Sequence, residues 1–325
     1  MPVRRGKPAH GLAPCDARTY PIKSRKNLVS AKDACRPIGP GLSVSDLVGC
    51  LPDILAGRDL RKVIDRICEA RNKGRPVVIG IGGHVIKVGL GPLIGDLIDR
   101  GVVTAVAMNG AAAIHDLEMA LIGETSEDVA EGIEDGTFGM ADETGTAFAE
   151  ASQAASTNGT GLGTALAQWL ASKKAPHSSA SVLCKAADHG VQCTVHVALG
   201  ADIVHMHPRM DGATTGKASM TDFHILTAVI GDLEGGVYIN LGSAAFLPEV
   251  FLKALNLARN LGKKVRRFTT VNMDMIQHYR PRVNVVQRPT RTGGEGFALT
   301  GHHEIMVPLL AAAVLDRLGK GHDSH

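Results

Sequence analysis

The densest run of residues able to do chemistry spans 202–217: Asp202-Ile-Val-His205-Met-His207-Pro-Arg-Met-Asp211-Gly212-Ala-Thr-Thr-Gly216-Lys217. A His-x-His pair after an apolar stretch presents two imidazoles on one side of an extended chain, as in some metal hydrolases. Asp211 could add a carboxylate, which would suit a metal-assisted hydrolase or lyase. The spacing fixes no third ligand, so two other readings stay open: substrate positioning, or hydrogen bonding within a core. Residues 212–217 look like a phosphate loop but are one residue short and lack the Ser or Thr that should follow the lysine. What remains there is an anion-binding turn with Thr214, Thr215 and Lys217 as donors.

A second group, Gly301-His302-His303-Glu304, follows the glycine-rich stretch Thr292-Gly293-Gly294-Glu295-Gly296. It opens the last predicted helix. The helix dipole disfavours charge on an imidazole at that end, so these histidines suit neutral hydrogen bonding to a ligand; exposed capping residues would look the same. Asn109 and His115-Asp116 stand at the start of another predicted helix with the same two readings. The six cysteines show neither CxxC nor metal-ligand spacing, and read as reduced thiols of a cytosolic protein.

The elements that must carry these groups follow from periodicity. Leu60, Val63, Ile64 and Ile67 fall on one helical face. Val77-Val78-Ile79 then forms a short β-branched run ending in Gly80-Ile81-Gly82-Gly83-His84. Leu90, Leu93, Ile94, Leu97 and Ile98 make a second helical stripe, and an apolar run over 102–108 ends in Asn109-Gly110. The pattern is βαβα with short connections, hence a parallel sheet. Further strands are predicted over 191–197, 237–241 and 267–272. Helices are predicted over 162–170, 180–187, 220–230, 248–261 and 305–318, with residues 124–160 as short helices and loops. These strands end in glycine, asparagine or histidine, at the edge where open parallel sheets bind ligands. Gly80-x-Gly82-x-x-Val85 is not a complete GxGxxG, so a dinucleotide would need another geometry there, and tight turns alone would also account for the glycines.

Composition bounds the function. The 325 residues include 38 Gly but only one Trp, three Tyr and seven Phe, which disfavours a sugar-binding cleft or a base-stacking surface. No apolar run is long enough for a membrane span and no secretory segment is evident near the start. The expectation is a cytoplasmic protein that touches neither nucleic acid nor membrane. The net charge of +3 is uneven, because residues 1–26 hold seven Lys or Arg against Asp16 alone. Residues 1–45 are therefore read as a basic arm, 46–319 as one α/β domain with a doubly wound, mostly parallel, Rossmann-like sheet, and 320–325 as a tail.

The stretch 78–117, with Gly82-Gly83-His84-Val85-Ile86 and Asn109-Gly110-Ala111-Ala112-Ala113-Ile114-His115-Asp116-Leu117, resembles deoxyhypusine synthase. The likeness continues through Asp211-Gly212, Leu241-Gly242-Ser243 and Glu304-Ile305-Met306-Val307-Pro308-Leu309-Leu310, spanning most of 60–318. It implies an NAD-binding fold and a homo-oligomer, a tetramer in that family. By position it implies that Gly82, Gly83 and His84 line a first cofactor turn, Asn109, Gly110 and His115 a second, and Asp211 and Gly212 a third. Gly242 and Ser243 follow the next strand, and His303 lies with His302 over the cofactor.

The chain departs from the family in its chemistry. The family forms an imine on a lysine within Trp-Gly-Lys near the carboxyl terminus. Here the one Trp is Trp169, and no lysine occurs between Lys264 and Lys320. The position of the family's catalytic histidine falls near Pro248. Where a polyamine site would be acidic, Arg280, Arg282, Arg288 and Arg291 occur without a carboxylate, which favours an anionic small-molecule substrate. The sequence therefore points to an NAD-dependent enzyme, transferase- or oxidoreductase-like, with His205, His207 or His302 as acid or base and with no deoxyhypusine formation. The alternatives are the metal-assisted enzyme on His205, His207 and Asp211, and a non-catalytic oligomeric scaffold.

Overall fold

The computed structural model describes residues 11, 15 and 17–320. Much of the basic arm, including Arg4, Arg5 and Lys7, lies outside the described residues, as do 321–325 of the tail. In chain order the elements begin with α1 (Val44–Cys50), α2 (Leu55–Asn72), β1 (Val77–Ile81), α3 (Gly83–Lys87), α4 (Gly91–Asp99) and β2 (Ala105–Asn109). There follow α5 (Gly110–Ile122), α6 (Val129–Asp135), α7 (Asp142–Asn158), α8 (Leu162–Ser172), α9 (Val182–Asp188) and β3 (Gln192–His196). The last third holds α10 (Gly212–Gly231), β4 (Val237–Leu241), α11 (Phe246–Asn260), β5 (Thr269–Asp274), α12 (Tyr279–Pro281, continued as a π-helix over Arg282–Gln287), β6 (Glu295–Thr300) and α13 (His303–Lys320).

The six strands form one all-parallel sheet in the order β3-β2-β1-β4-β5-β6. Chain direction through the sheet reverses between β1 and β4, which makes that junction the topological switch point. Strand alternation divides the buried side chains between two layers. Val77, Ile79 and Ile81 of β1 join the larger core with α2, α4, α5, α8 and α13. Val78 joins the smaller one, where Leu226 and Ile230 of α10 meet Leu247, Phe251 and Leu255 of α11. The sheet is thus covered on both faces, which is why its central strands are almost continuously apolar.

Three regions differ from the sequence reading. Residues 142–158 form a single helix, α7, whose buried face is Ala147, Phe148, Ala151 and Ala155. Helix α10 starts at Gly212, so residues 212–217 are its first turns rather than a loop. The glycine-rich stretch after Thr292 leads directly into a sixth strand, β6. No helix among the described residues is long and apolar enough to cross a membrane.

Candidate functional site

At the switch point the two strand-end loops meet backbone to backbone. The Gly82 N–H donates to Leu241 O at 2.8 Å. A Cβ on Gly82 would lie 2.2 Å from Gly242 O, so only glycine allows this approach. Gly242 carries φ +62, and a Cβ there would come within 2.9 Å of Cε1 of His303. The contact shows what the second glycine is for: it lets the His303 ring lie under the β4 loop.

His303 is the first residue of α13 and is 1% exposed. Its Nε2 donates to Met273 O at 3.2 Å, with Asp274 Oδ1 at 3.9 Å. Its Nδ1 faces Nδ1 of His84 at 3.1 Å. His84 stands on α3 directly after β1 and is half-buried. Residues 219 apart in sequence are therefore joined at the one place where β1, β4, β5 and α13 converge. Gly83 packs on α5, its virtual Cβ 3.0 Å from Ala111 Cβ and 3.3 Å from Cδ2 of His115. Nδ1 of His115 is 2.7 Å from Thr125 Oγ1, and Thr125 in turn donates to Glu118. Thr144 also donates to Glu118, and these partners hold its carboxyl below the usual range against the opposing effect of burial.

A hydrogen-bonded row fixes the neighbouring strand ends. Asn240 Nδ2 donates to Ser243 O at 3.0 Å and to Asn272 Oδ1 at 2.7 Å. Asn272 Nδ2 donates to Gln277 Oε1, and Gln277 Nε2 to Leu299 O. The ends of β4, β5 and β6 are thereby tied together through buried Asn240 and Asn272 and half-buried Gln277. Beside them, between α10 and α11, opens a cleft of about 460 Å³ lined by Leu199, Met220, Phe223, Phe246 and Val250, with His196 among its lining residues. Burial pushes the His196 imidazole down to about 3, so it is neutral, and its Nε2 is 2.9 Å from Thr194 Oγ1.

The second predicted turn is occupied by protein groups. Asn109 Oδ1 accepts from Ala112 N at 2.9 Å as the N-cap of α5. Asp202 Oδ2 lies only 2.0 Å from where a Gly110 Cβ would stand and accepts from Ala198 N at 2.8 Å. Burial pushes the Asp202 carboxyl up. An acidic group over this helix start is unsuited to a phosphate but suited to accept from hydroxyls.

The β3–α10 loop does not converge on the switch point. Switch and β3 are about two and a half strand spacings apart, roughly 12 Å. His207 packs against Gly145 of α7, with Nε2 3.5 Å from Asp142 Oδ1. Both ring nitrogens of His205 are buried without a hydrogen-bond partner. Asp211 caps α10, accepting from Thr214 N at 2.8 Å, which lowers its pKa. Among the described residues no three His, Cys, Asp or Glu side chains are grouped to hold a metal ion. His302 is exposed, with Nδ1 3.7 Å from Glu304 Oε1. The four arginines also separate, because the chain between β5 and β6 returns from one end of the sheet to the other. Arg280 lies 3.5 Å from Glu249 beside the start of α11. Arg291 precedes Thr292 and Gly293, which line a cleft at the opposite end.

Two helix carboxylates are buried: Asp222, which the sequence reading does not single out, and Asp116, which it names with His115 at a helix start. Asp222, mid-helix in α10, accepts from Gly163 N at 2.9 Å and Val195 N at 2.8 Å, and burial pushes it up to about 7. Asp116 accepts from Ser181 Oγ and from the N–H groups of Val182 and Leu183, and burial pushes it up to about 6. An aspartate in the middle of an apolar helical stretch was the available signal. The thiols of Cys68 and Cys193 are likewise raised by burial, the former to about 11, so neither is an activated nucleophile.

No protein-family profile matches the sequence, and no curated protein matches it. Solved structures do match. A conserved protein of Methanococcus maripaludis S2, provisionally assigned as LOR/SDH, superposes with a TM-score of 0.52 at 16% identity, over 87% of this chain and 75% of that one. AgrE, crystallised as a ternary complex with ornithine and NAD+, gives 0.52 at 13% identity over 82% of this chain. The match spans 34% of AgrE, about a third of its length. An Entamoeba histolytica protein provisionally assigned as a deoxyhypusine synthase gives 0.49 at 12% identity, over 85% and 94%. At these identities the likeness concerns the fold. The doubly wound sheet of this chain is a fold it shares with the Methanococcus maripaludis protein and with about a third of AgrE.

Proposed function

We propose that the chain is an NAD-binding enzyme acting on a small-molecule substrate at the β1/β4 switch point, without deoxyhypusine formation. The observation that carries this reading is the meeting of the Gly82–Gly242 contact and the His84–His303 pair at the switch point, with the α10–α11 cleft opening toward the β3 side of the same carboxyl edge of the sheet. The residues present fit a dinucleotide. The apolar cleft between α10 and α11 has room for a flat ring, and Phe246 stands at its β4 side. Asp202, over Gly110, has the chemistry to accept from ribose hydroxyls. NAD would supply hydride acceptance and donation when bound.

The chain's own residues supply the remainder. Gly82, Gly83, Gly242 and Ser243 bring backbone close to the ligand, and His84 and His303 hold a proton beside it. Asn109 and His115 shape the α3–α5 side rather than donate to phosphate. His205, His207, Asp211 and Gly212 belong to the β3–α10 loop region, and His302, exposed at the start of α13, faces solvent. The absence of a lysine between Lys264 and Lys320 supports a reaction without an imine on the enzyme. Isothermal titration with NAD+ and NADH tests the reading. Binding of either in the micromolar-to-millimolar range is the expected result, and no heat from either up to millimolar concentration contradicts it.

A further inference from the structure

The two facing imidazoles form a proton-sharing unit whose direction can be worked out. Met273 O can only accept, so Nε2 of His303 carries a hydrogen. With His303 neutral, its Nδ1 is then a lone pair, and the 3.1 Å contact requires the hydrogen on Nδ1 of His84. Nε2 of His84 is left as an unprotonated base with no partner among the described residues, on a half-buried ring at the switch point. We infer that His84 is the acid–base group of the site, that Nε2 is its reacting nitrogen, and that His303 with Asp274 is its proton reservoir. The inference rests on the proposed location of the site, but not on the identity of the cofactor.

The step balances as a proton transfer. A ligand O–H or N–H bond breaks and Nε2–H of His84 forms, while Nδ1–H of His84 passes to Nδ1 of His303. The positive charge then rests on His303, between Met273 O and the Asp274 carboxylate 3.9 Å away. The reverse sequence delivers a proton to the ligand. His303, buried beneath Gly242, cannot itself reach a ligand and is a positioning residue. The elements packed here also carry Lys87 on α3, His115, Asp116 and Glu118 on α5, and His302 and Glu304 at the start of α13. None of them comes between the two rings.

The arrangement makes an unusual demand on tautomers. His84 must be the Nδ1–H form and His303 the Nε2–H form when the pair is neutral, whereas a free imidazole favours Nε2–H. The test is NMR of the full chain with 15N-labelled histidine from pH 5 to 9, with His84→Gln and His303→Gln for assignment. The expected spectrum above pH 8 shows the signal lost in His84→Gln as an Nδ1–H tautomer, with a scalar coupling between the two Nδ1 nuclei across the hydrogen bond. His303→Gln should return His84 to the Nε2–H form. A His84 in the Nε2–H form without that coupling overturns the inference. The coupling is read in the unsubstituted protein, so it decides the matter even if a variant does not fold. Because no cofactor is added, failure of NAD to bind leaves this result separate from that one.

Discussion

The loop after β3 and the junction between β1 and β4 carry similar residues in sequence and use them differently in the fold. In the loop, His207 is buried on Gly145 and Asp211 caps a helix, while Asp116 accepts from two backbone N–H groups and the Ser181 hydroxyl, and Oδ2 of Asp222 accepts from two backbone N–H groups with its Oδ1 buried and unpartnered. Those polar groups hold elements in place. At the junction, His84 and His303 are hydrogen-bonded mainly to one another, and one ring nitrogen is left over. The difference shows that a cluster of ionisable residues along a sequence is weak evidence of chemistry until its partners are known. A group sealed in the interior, whether its acceptors are taken as in Asp116 or left empty as in His205, cannot meet a ligand, and one with a spare lone pair on a half-buried ring at a strand end can act.

The contrast predicts that removing a polar side chain costs more stability at the first region than at the second. Asp222→Ala orphans the N–H groups of Gly163 and Val195 and should cost about 3 kcal/mol in urea unfolding, without altering the His84 signal. The pH dependence has a defined sign. Asp222 keeps its proton to about 7 in the folded chain but to the ordinary 3.8 when unfolded. Its contribution is therefore complete below about pH 4 and fades as the pH climbs to about 7. Asp222→Asn should remove that slope from the urea midpoints, and an unchanged slope would mean the carboxyl is ionised throughout.

Gly242→Ala places a methyl against His303 at a positive φ, and should cost about 2 kcal/mol. It should also break the coupling between the imidazoles, which Asp222→Ala leaves intact. Asp211→Ala removes a cap and should cost about 1 kcal/mol, with no change in the imidazole spectrum. The smallest effect on stability is expected for His84→Ala, under about 0.5 kcal/mol, since water in the crevice replaces its bond. A larger loss there would make His84 a structural residue like His207.

How much was legible in the sequence depended on whether the signal was local. The Leu60–Ile67 stripe and the runs at 77–81 and 237–241 gave α2, β1 and β4 directly, because apolar periodicity is a property of neighbours. Strand β6 was hidden: Gly294 and Gly296 weaken its propensity, and as an edge strand it buries only Phe297 and Leu299 fully. Helix α7 buries small residues, so its alanine face gave no apolar contrast. The start of α10 was read as a loop because its glycines and threonines are poor helix formers, although Asp211 was a readable cap. The glycines at strand ends were found, but their purpose was not. Pairing His84 with His303 depends on β1 lying next to β4 and β4 next to β5, a long-range fact that no spacing encodes.

Ligand chemistry at the switch point would be seen most directly in a crystal structure of the chain soaked with NAD+. The dinucleotide should lie between the Gly82–His84 and Gly242–Phe246 loops, with Nε2 of His84 facing the open side of its nicotinamide ring. Density confined to the His205–Asp211 loop, or to the cleft at the opposite end of the sheet, would contradict the assignment.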